Sequence, residues 1–273
     1  MQALVTELSH IARLAGAAIL EVYEQQDHGV ETKDDDSPLT AADLASHRLI
    51  VGELTRLYPD IPVLSEESTA ISWEERSTWN QYFLIDPLDG TKEFISRNGE
   101  FTVNIALIEQ GDPTAGVVFV PVKNILYAGF QGDVPTAYVE RERSVTPIKT
   151  RAVSGDKLTI VASRRHGGDA LAGVMAVLEQ EFTVVETLNM GSSLKLCLVA
   201  EGYADFYPRL APTSEWDTAA AHAVVLAAGG KVVDTRFEPL RYNTKADLLN
   251  PFFYVIGDPA WPWESVLAKV RPG

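Results

Sequence analysis

Hydrophobic residues recur at helical spacing at the start of the chain and again after residue 40. Steps of three and four residues are typical of an amphipathic helix, and this pattern predicts one over about residues 3–24. A second helix is predicted from Thr40 to the prolines at 59 and 62. The polar segment 31–38 between them is predicted to form a loop or a mobile β-hairpin.

Shorter apolar runs separated by Gly, Pro and Asp predict strands and an antiparallel meander. After residue 157, strands alternate with helices, which is typical of an α/β layer. We therefore predict an α/β (α+β) protein with an N-terminal half at 1–150, carrying an antiparallel sheet, and a C-terminal half at 151–273, carrying a mixed sheet. The later elements are predicted as strands 158–162, 182–187, 203–207, 231–234 and 253–256, and as helices 169–181, from 191, 215–228 and 260–269.

Two carboxylates follow a short apolar strand at residues 82–85. Asp86 and Asp89 are three residues apart in a turn that contains Pro87 and Gly90, so they can converge on one point. Two anions so close repel each other unless a cation lies between them. The oxygen ligands favour a hard divalent cation such as Mg²⁺. A solvated acidic turn is the alternative interpretation of this motif alone.

Three further acids lie next to the ends of predicted elements. Glu66 follows a short apolar run, Asp217 falls in the first turn of a helix, and Asp43 lies three residues after Thr40. Each also has a structural interpretation: a solvated surface acid for Glu66, an acid favoured by the helix dipole for Asp217, and a capping box for Asp43. If the runs before Glu66 and Asp86 are strands of one sheet, both acids emerge at the same edge.

Composition limits the partners and the compartment. The net charge of −15 argues against binding of nucleic acid polymers and requires local cations or metals for any anionic substrate. The single cysteine, Cys197, fits a reducing compartment. No signal peptide and no uninterrupted apolar run of membrane-spanning length is recognised. We expect a soluble cytoplasmic protein without a transmembrane segment; peripheral association with the cytoplasmic side of the inner membrane stays open.

Taken together, the acidic motifs resemble those of a known family. Residues 64–68 (Leu-Ser-Glu-Glu-Ser), 86–91 (Asp-Pro-Leu-Asp-Gly-Thr) and 216–220 (Trp-Asp-Thr-Ala-Ala) resemble the signature set of the inositol monophosphatase superfamily. Residues 90–95, 98–107 and 191–195 resemble the bacterial CysQ-type 3'(2'),5'-bisphosphate nucleotidases. The similarity runs from about residue 3 to the C-terminus. It implies a layered αβαβα sandwich and a Mg²⁺-dependent, lithium-sensitive phosphatase.

The resemblance also implies roles for individual residues. Glu66, Asp86 and the Leu88 carbonyl would hold one metal ion, while Asp86, Asp89 and Asp217 would hold another, with on the order of two or three Mg²⁺ ions per site. Thr91 with Asp43 would orient the attacking water. The expected substrate-binding residues are Glu66, Leu88, Asp89, Gly90, Thr91, Ser163, His166, Ser192, Ser193, Lys195, Arg209 and Asp217.

Residues of the second half carry the expected recognition of the leaving group. The N–H groups of residues 191–193, at a predicted helix start, are suited to an anion. Lys195 and Arg209 are candidates for a second phosphate, although a solvated helix residue and a surface salt bridge are their structural interpretations. Ser163 and His166 would border the nucleotide base by resemblance.

The expected activity is hydrolysis of the 3'-phosphate of adenosine 3',5'-bisphosphate to AMP and phosphate, in connection with sulfur assimilation. One alternative is the same chemistry on inositol phosphate or on a sugar bisphosphate. A second alternative is a non-catalytic nucleotide or metal sensor. The sensor interpretation leaves the Asp43 and Thr91 pair unexplained, because a sensor does not need to activate water.

Overall fold

The structure is a computed structural model that describes residues 1–25, 31–32, 38–68, 71–142, 144–162 and 168–270. In this part of the chain two single-turn 3-10 helices, Glu66–Ser68 and Glu215–Asp217, supplement the α-helices. The α-helices are α1 Gln2–Tyr23, α2 Ala41–Leu57, α3 Trp73–Arg76, α4 Thr91–Ile95, α5 Asp169–Glu181, α6 Leu194–Ala200, α7 Ala219–Ala227 and α8 Trp263–Leu267.

A seven-stranded sheet has the order β3-β4-β5-β6-β7-β8-β9. Its strands are β3 Val63–Ser65, β4 Gln81–Asp89, β5 Thr102–Glu109, β6 Asp112–Val120, β7 Ile125–Phe130, β8 Thr136–Arg141 and β9 Ser144–Pro147. Neighbouring strands are antiparallel except β3 and β4, which run parallel. The N-terminal sheet is therefore antiparallel, as predicted, apart from this one pair, which runs parallel because the segment containing α3 returns the chain to the same end of the sheet.

A five-stranded sheet has the order β11-β10-β12-β14-β13 and is mixed, as predicted. Its strands are β10 Lys157–Ala162, β11 Val184–Asn189, β12 Phe206–Arg209, β13 Lys231–Asp234 and β14 Phe253–Ile256. A short antiparallel pair, β1 Glu31–Thr32 and β2 Pro38–Leu39, lies within the segment predicted as a loop or hairpin.

Three buried clusters divide the molecule into five layers. One cluster joins α1 and α2 to one face of the seven-stranded sheet. The next lies between the two sheets and contains α6 and α7. The last joins α5 and α8 to the outer face of the five-stranded sheet. This arrangement confirms the αβαβα sandwich.

The two sheets divide between β9 and β10, close to the predicted boundary at residue 150. Helix α7, however, belongs to the second half and packs on strands β5, β6 and β7 of the first sheet. The division into halves at 1–150 and 151–273 therefore stays a proposal about organisation, while the core between the sheets is shared by both.

Two glycines allow α7 to lie directly on the seven-stranded sheet. Gly116 and Gly129 are paired across β6 and β7. A Cβ atom at Gly116 would lie 2.1 Å from the Ala220 carbonyl oxygen, and one at Gly129 would lie 2.5 Å from the Val224 Cα. The close contact sets the depth of α7, and with it the position of the residues that precede this helix.

Helix α1 is the one described helix that is long and apolar enough to cross a membrane by length and composition. Its apolar positions include Val5, Leu8, Ile11 and Ile19, which are completely buried in the core beside the first sheet. The burial of this face assigns α1 to the protein core, as the helical pattern predicted.

Several predicted boundaries move for local reasons. The predicted strand 203–207 begins only at Phe206, because the C-terminal turn of α6 continues through Gly202, which has φ +77°, to Ala204. The predicted helix 260–269 begins only at Trp263, after Pro262. The predicted helix 215–228 is divided into the 3-10 turn Glu215–Asp217 and α7.

Candidate active site

Carboxylates from three separate segments meet at one end of the seven-stranded sheet. Asp86 and Asp89 lie at the end of β4, and Asp217 closes the 3-10 turn before α7. One ligand oxygen from each of these three acids lies within 4.8 Å of the others. Glu66 follows the parallel strand β3, and its negative charge is one of the causes that raise the pKa of Asp86. The parallel pairing of β3 and β4 thus brings Glu66 to the same edge, as predicted.

Each of the three central carboxylates has one oxygen held by the backbone. A carboxylate with one oxygen fixed has a defined orientation and retains its second oxygen for a ligand. The donors are the N–H of Leu88 to Asp86 Oδ1 at 3.0 Å, of Ser193 to Asp89 Oδ2 at 2.5 Å, and of Ser214 to Asp217 Oδ2 at 2.9 Å.

Burial and mutual repulsion favour the protonated forms of this cluster. Burial, followed by the charges of Asp89 and Glu66, raises the pKa of Asp217 to about 8. Burial, followed by the charge of Glu66, raises the pKa of Asp86 well above its ordinary value. Burial also raises the pKa of Asp89, although Lys195 opposes this shift. A divalent cation would relieve this cost, and the all-oxygen donor set fits a hard one.

Asp43 serves two neighbours with its two oxygens. Its Oδ2 accepts the backbone N–H of Thr40 at 2.8 Å and the Thr40 hydroxyl at 2.5 Å, which confirms the predicted capping box of α2. Its Oδ1 accepts a hydrogen bond from the Thr91 hydroxyl at 3.4 Å. The capping interpretation and the expected pairing with Thr91 are therefore compatible, because each uses a different oxygen.

Helix α2 is also fixed to the acidic turn. The Ser46 hydroxyl donates to the Pro87 carbonyl at 2.7 Å. Gly90, with φ +94°, then directs the chain into α4, whose first residue is Thr91. Asp43 and Thr91 are thereby held beside the segment that carries Asp86 and Asp89.

A pocket opens beside the acids and contains two cations. Its walls include Asp89 and Asp217 together with Lys195, Tyr207 and Arg209. In the described part of the chain neither cation forms a salt bridge with a carboxylate, in contrast to the surface salt bridge considered for Arg209. A pocket that is lined by both acids and cations, without direct salt bridges between them, can bind a metal and an anion side by side.

Backbone carbonyls hold the two cations in place. Lys195 is 7% exposed, and its Nζ donates to the Ser192 carbonyl at 2.6 Å. Burial lowers the pKa of Lys195 to about 8, and the Asp89 carboxylate acts against this effect. The Arg209 guanidinium donates to the carbonyls of Ala211 at 3.1 Å and Pro212 at 2.7 Å. The solvated helix position considered for Lys195 is wrong, since this side chain is buried.

The turn before α6 uses its N–H groups differently from the prediction. The Gly191 N–H donates to Glu100 Oε2 at 2.9 Å, and the Ser193 N–H donates to Asp89. The prediction that these N–H groups are available to an anion is therefore wrong for Gly191 and Ser193, because carboxylates of the first half already accept from them. Ser192 has φ +45°, and its Oγ is buried without a hydrogen-bond partner among the described residues.

Ser163 and His166 lie outside the described residues, so their contact with a base stays a prediction. Sequence reasoning did not identify Thr102, Asn104 or Tyr207 as part of the site. Thr102 and Asn104 are polar residues at alternate positions of the apolar strand β5, opposite Asp89 and Asp86. That alternation was a usable signal, because polar residues on the buried face of a strand need partners.

The five-layer fold and this constellation of acids define the class of protein. The sequence model of the inositol monophosphatase family matches residues 1–257. The chain belongs to the inositol monophosphatase family.

Within that family, the chain is similar to curated proteins named CysQ. The chain is 47% identical over 253 residues to the 3'(2'),5'-bisphosphate nucleotidase CysQ of Salmonella typhimurium, covering 92% of this chain and 99% of that protein. It is 36% identical over 264 residues to CysQ of Haemophilus influenzae, covering 96% of each.

Solved structures agree with this placement. The crystal structure of CysQ from Bacteroides thetaiotaomicron has a TM-score of 0.80 and 42% identity, covering 94% of this chain and 98% of that one. The inositol monophosphatase from Anabaena has a TM-score of 0.72 at 24% identity, covering 99% and 97%, and supports the fold alone.

Proposed function

We propose that this chain is a Mg²⁺-dependent phosphatase that hydrolyses the 3'-phosphate of adenosine 3',5'-bisphosphate to AMP and phosphate. The observation that carries the proposal is the pocket in which Asp89 and Asp217 face Lys195 and Arg209. A substrate with two phosphates needs both kinds of side chain. The acids would bind the reacting phosphate through metal ions, and the two cations would bind the other phosphate. The name of the CysQ relatives, 3'(2'),5'-bisphosphate nucleotidase, supports the same substrate class.

Glu66, Asp86, the Leu88 carbonyl, Asp89 and Asp217 would hold the Mg²⁺ ions, which is the set implied by resemblance. When bound, Mg²⁺ neutralises phosphoryl oxygens and lowers the pKa of a coordinated water. The carboxylates contribute through their fixed orientation, since each of the three central acids has one oxygen held by a backbone N–H.

Asp43 and Thr91 would orient the attacking water. The Thr91 hydroxyl directs its proton to Asp43 Oδ1, so its lone pairs are left to accept a hydrogen bond from water. The water oxygen forms a bond to phosphorus while the bond from phosphorus to the 3'-oxygen breaks. The proton lost by the attacking water would pass through Thr91 to Asp43, and the 3'-oxygen would take a proton from a solvent water to become a hydroxyl.

Lys195 and Arg209 would bind the 5'-phosphate, and Ser192 would contact the substrate beside them. Ser163 and His166 would border the base. We also propose that the enzyme acts in the cytoplasm, where hydrolysis of adenosine 3',5'-bisphosphate would support sulfur assimilation. Inhibition by Li⁺ follows from the family resemblance.

A phosphate-release assay over a small panel tests the substrate assignment. The panel contains adenosine 3',5'-bisphosphate, 3'-phosphoadenosine 5'-phosphosulfate, inositol 1-phosphate and fructose 1,6-bisphosphate, each with Mg²⁺, without Mg²⁺, and with Mg²⁺ and Li⁺. We expect the highest kcat/KM for adenosine 3',5'-bisphosphate, with no turnover in EDTA. A higher kcat/KM for inositol 1-phosphate or fructose 1,6-bisphosphate would overturn the assignment of the substrate. Nucleotide binding without phosphate release would favour the sensor interpretation.

Arg209→Gln tests whether Arg209 binds the 5'-phosphate. Loss of a charge-assisted contact with phosphate corresponds to about 10- to 100-fold in KM. We expect this rise for adenosine 3',5'-bisphosphate but not for 3'-AMP, which lacks the 5'-phosphate. Arg236→Gln is a matched control, because Arg236 is exposed and paired with Asp234. An equal rise in KM for both nucleotides would contradict the role of Arg209.

A further inference from the structure

A closed network of buried polar side chains connects the metal-binding carboxylates with the turn that lines the pocket. Its members are Thr102, Asn104 and Ser193, which are at most 2% exposed, and the carboxylate of Asp89. Thr102 and Asn104 come from β5 in the first half, whereas Ser193 immediately precedes α6 in the second half. The network therefore crosses between the two halves of the chain.

All of the hydrogen-bond contacts between Asp89 and the described residues end on one oxygen. The Ser193 N–H donates to Oδ2 at 2.5 Å, while the Asn104 Nδ2 and the Thr102 hydroxyl approach the same atom at 3.4 Å. In the part of the chain that the structure describes, Oδ1 accepts no hydrogen bond. The network thus holds Asp89 by one oxygen and leaves the other for a ligand.

The Asn104 amide contacts both sides of this network with its two ends. Its Nδ2 faces Asp89, and its Oδ1 accepts a hydrogen bond from the Ser193 hydroxyl at 2.9 Å. Because the Ser193 proton is used in that bond, the Thr102 hydroxyl donates its one proton to Ser193 Oγ at 2.9 Å and not to Asp89 Oδ2 at 3.4 Å. The protons therefore all point along one chain from Thr102 through Ser193 and Asn104 to Asp89.

We propose that Asn104 is a positioning residue that couples the orientation of Asp89 to the position of the 191–193 turn. A shift of this turn, which carries Ser192 and anchors Lys195, changes the orientation of Asp89 through the amide, and metal bound at Asp89 fixes the turn. This inference rests on the proposed function for the identity of the metal. It assigns the Ser193 hydroxyl to positioning of Asp89 instead of to direct contact with substrate.

Ser193→Ala separates the coupling through Asn104 from the direct hydrogen bond that the Ser193 N–H donates to Asp89. The substitution keeps the backbone N–H that donates to Asp89 and removes only the hydroxyl, which reaches Asp89 through Asn104. We expect the Mg²⁺ dissociation constant, measured by calorimetry on the full chain without substrate, to rise about tenfold, which is the lower range for groups that orient metal ligands. Ser192→Ala is the matched control in the same turn, and we expect it to leave Mg²⁺ affinity unchanged.

A second variant closes the test. Asn104→Leu is expected to weaken Mg²⁺ binding at least as much, and Ser193→Ala should add little in that background. Should Asn104→Leu not fold, Ser193→Ala against Ser192→Ala still decides the question. Mg²⁺ affinity within twofold of wild type in Ser193→Ala would overturn the coupling. Absence of Mg²⁺ binding by the wild-type chain would instead overturn the metal assignment of the proposed function.

Discussion

At the scale of single residues, the aspartates of the site each use one carboxylate oxygen to accept a hydrogen bond from a backbone N–H. Asp43 caps α2 through Oδ2 and faces Thr91 through Oδ1. Asp217 accepts the Ser214 N–H in the capping box of its 3-10 turn, and one of its carboxylate oxygens lies within 4.8 Å of oxygens of Asp86 and Asp89. A capping role and a role in the active site are therefore compatible for these acids, because one carboxylate group can fulfil both.

Asp89→Asn should abolish turnover while the fold is retained. The change removes one ligand charge from a cluster in which charges repel, so we expect the metal-free variant to be at least as stable as wild type. Loss of several kcal/mol of transition-state stabilisation corresponds to about a 10³-fold decrease in kcat/KM. Phosphate release and thermal unfolding measure the two effects. Near wild-type activity in this variant would falsify the metal-dependent account.

The raised pKa of Asp217 predicts how the stability of the metal-free protein depends on pH. Its pKa is about 8 in the folded state and 3.8 as the ordinary value, so the folded state keeps a proton that the unfolded state loses. The contribution of this group is therefore unfavourable above the unfolded pKa, and stability falls as pH rises between about 4 and 8. Asp217→Asn removes this decline.

Urea unfolding in EDTA at several pH values checks the prediction for Asp217. The stability of Asp217→Asn relative to wild type should increase from about pH 5 to pH 8. Saturating Mg²⁺ should stabilise wild type at the upper end of this range and leave the variant less affected. A relative stability that is the same at both ends would show that Asp217 is not strained by its neighbours.

At the scale of elements, the site depends on how closely α7 approaches the seven-stranded sheet. The helix lies on the paired glycines Gly116 and Gly129, where a side chain would overlap its backbone. Asp217 is two residues before α7 begins, so the depth of this helix sets how far Asp217 lies from the acids of β4. A substitution far from the pocket should therefore affect metal binding.

Gly116→Ala should destabilise the protein by about 3 kcal/mol, because the new methyl group overlaps the Ala220 carbonyl and the packed helix must shift. Gly52→Ala is the matched control at an exposed position of helix α2, where no atom lies within 4 Å of the new Cβ. We expect that change to stabilise the protein by about 0.5–1 kcal/mol. Denaturant unfolding measures both, and similar values for the two variants would contradict the contact.

At the scale of the whole molecule, the acids come from both halves of the chain. Asp86 and Asp89 belong to the first sheet, whereas Asp217 belongs to the segment that leads into α7. A bound ion would link these halves across the core that they share. With a net charge of −15, the metal-free protein also carries an excess of negative charge that bound cations reduce.

Mg²⁺ should therefore raise the thermal midpoint of the whole protein. At a concentration about 100 times the dissociation constant, binding adds roughly 2.7 kcal/mol, or about 5–10 °C in Tm for a chain of this size. NaCl of equal ionic strength should give a much smaller rise. Asp217→Asn should reduce the effect of Mg²⁺ while leaving the effect of NaCl unchanged. Equal shifts from both salts would indicate screening instead of a bound ion.

The sequence predicted those parts of the site that depend on local signals. Asp86 and Asp89 follow an apolar strand, and Thr40 with Asp43 form a capping pair over three residues, so neighbouring residues suffice to identify them. Asn104 and Ser193 meet across 89 positions of the chain, and no local pattern identifies that contact. The N–H groups of Gly191 and Ser193 also have partners in the distant first half, which explains why the anion-binding prediction for them was wrong.

The central claim is that the clustered acids hold divalent ions beside a pocket that contains two cations. The most direct measurement is a crystal structure of the protein grown with Mn²⁺ and phosphate, with an anomalous difference map. The account predicts Mn²⁺ peaks within coordination distance of Glu66, Asp86, Asp89 and Asp217. A map without peaks among these four acids, under conditions in which the enzyme is active with Mn²⁺, would contradict it.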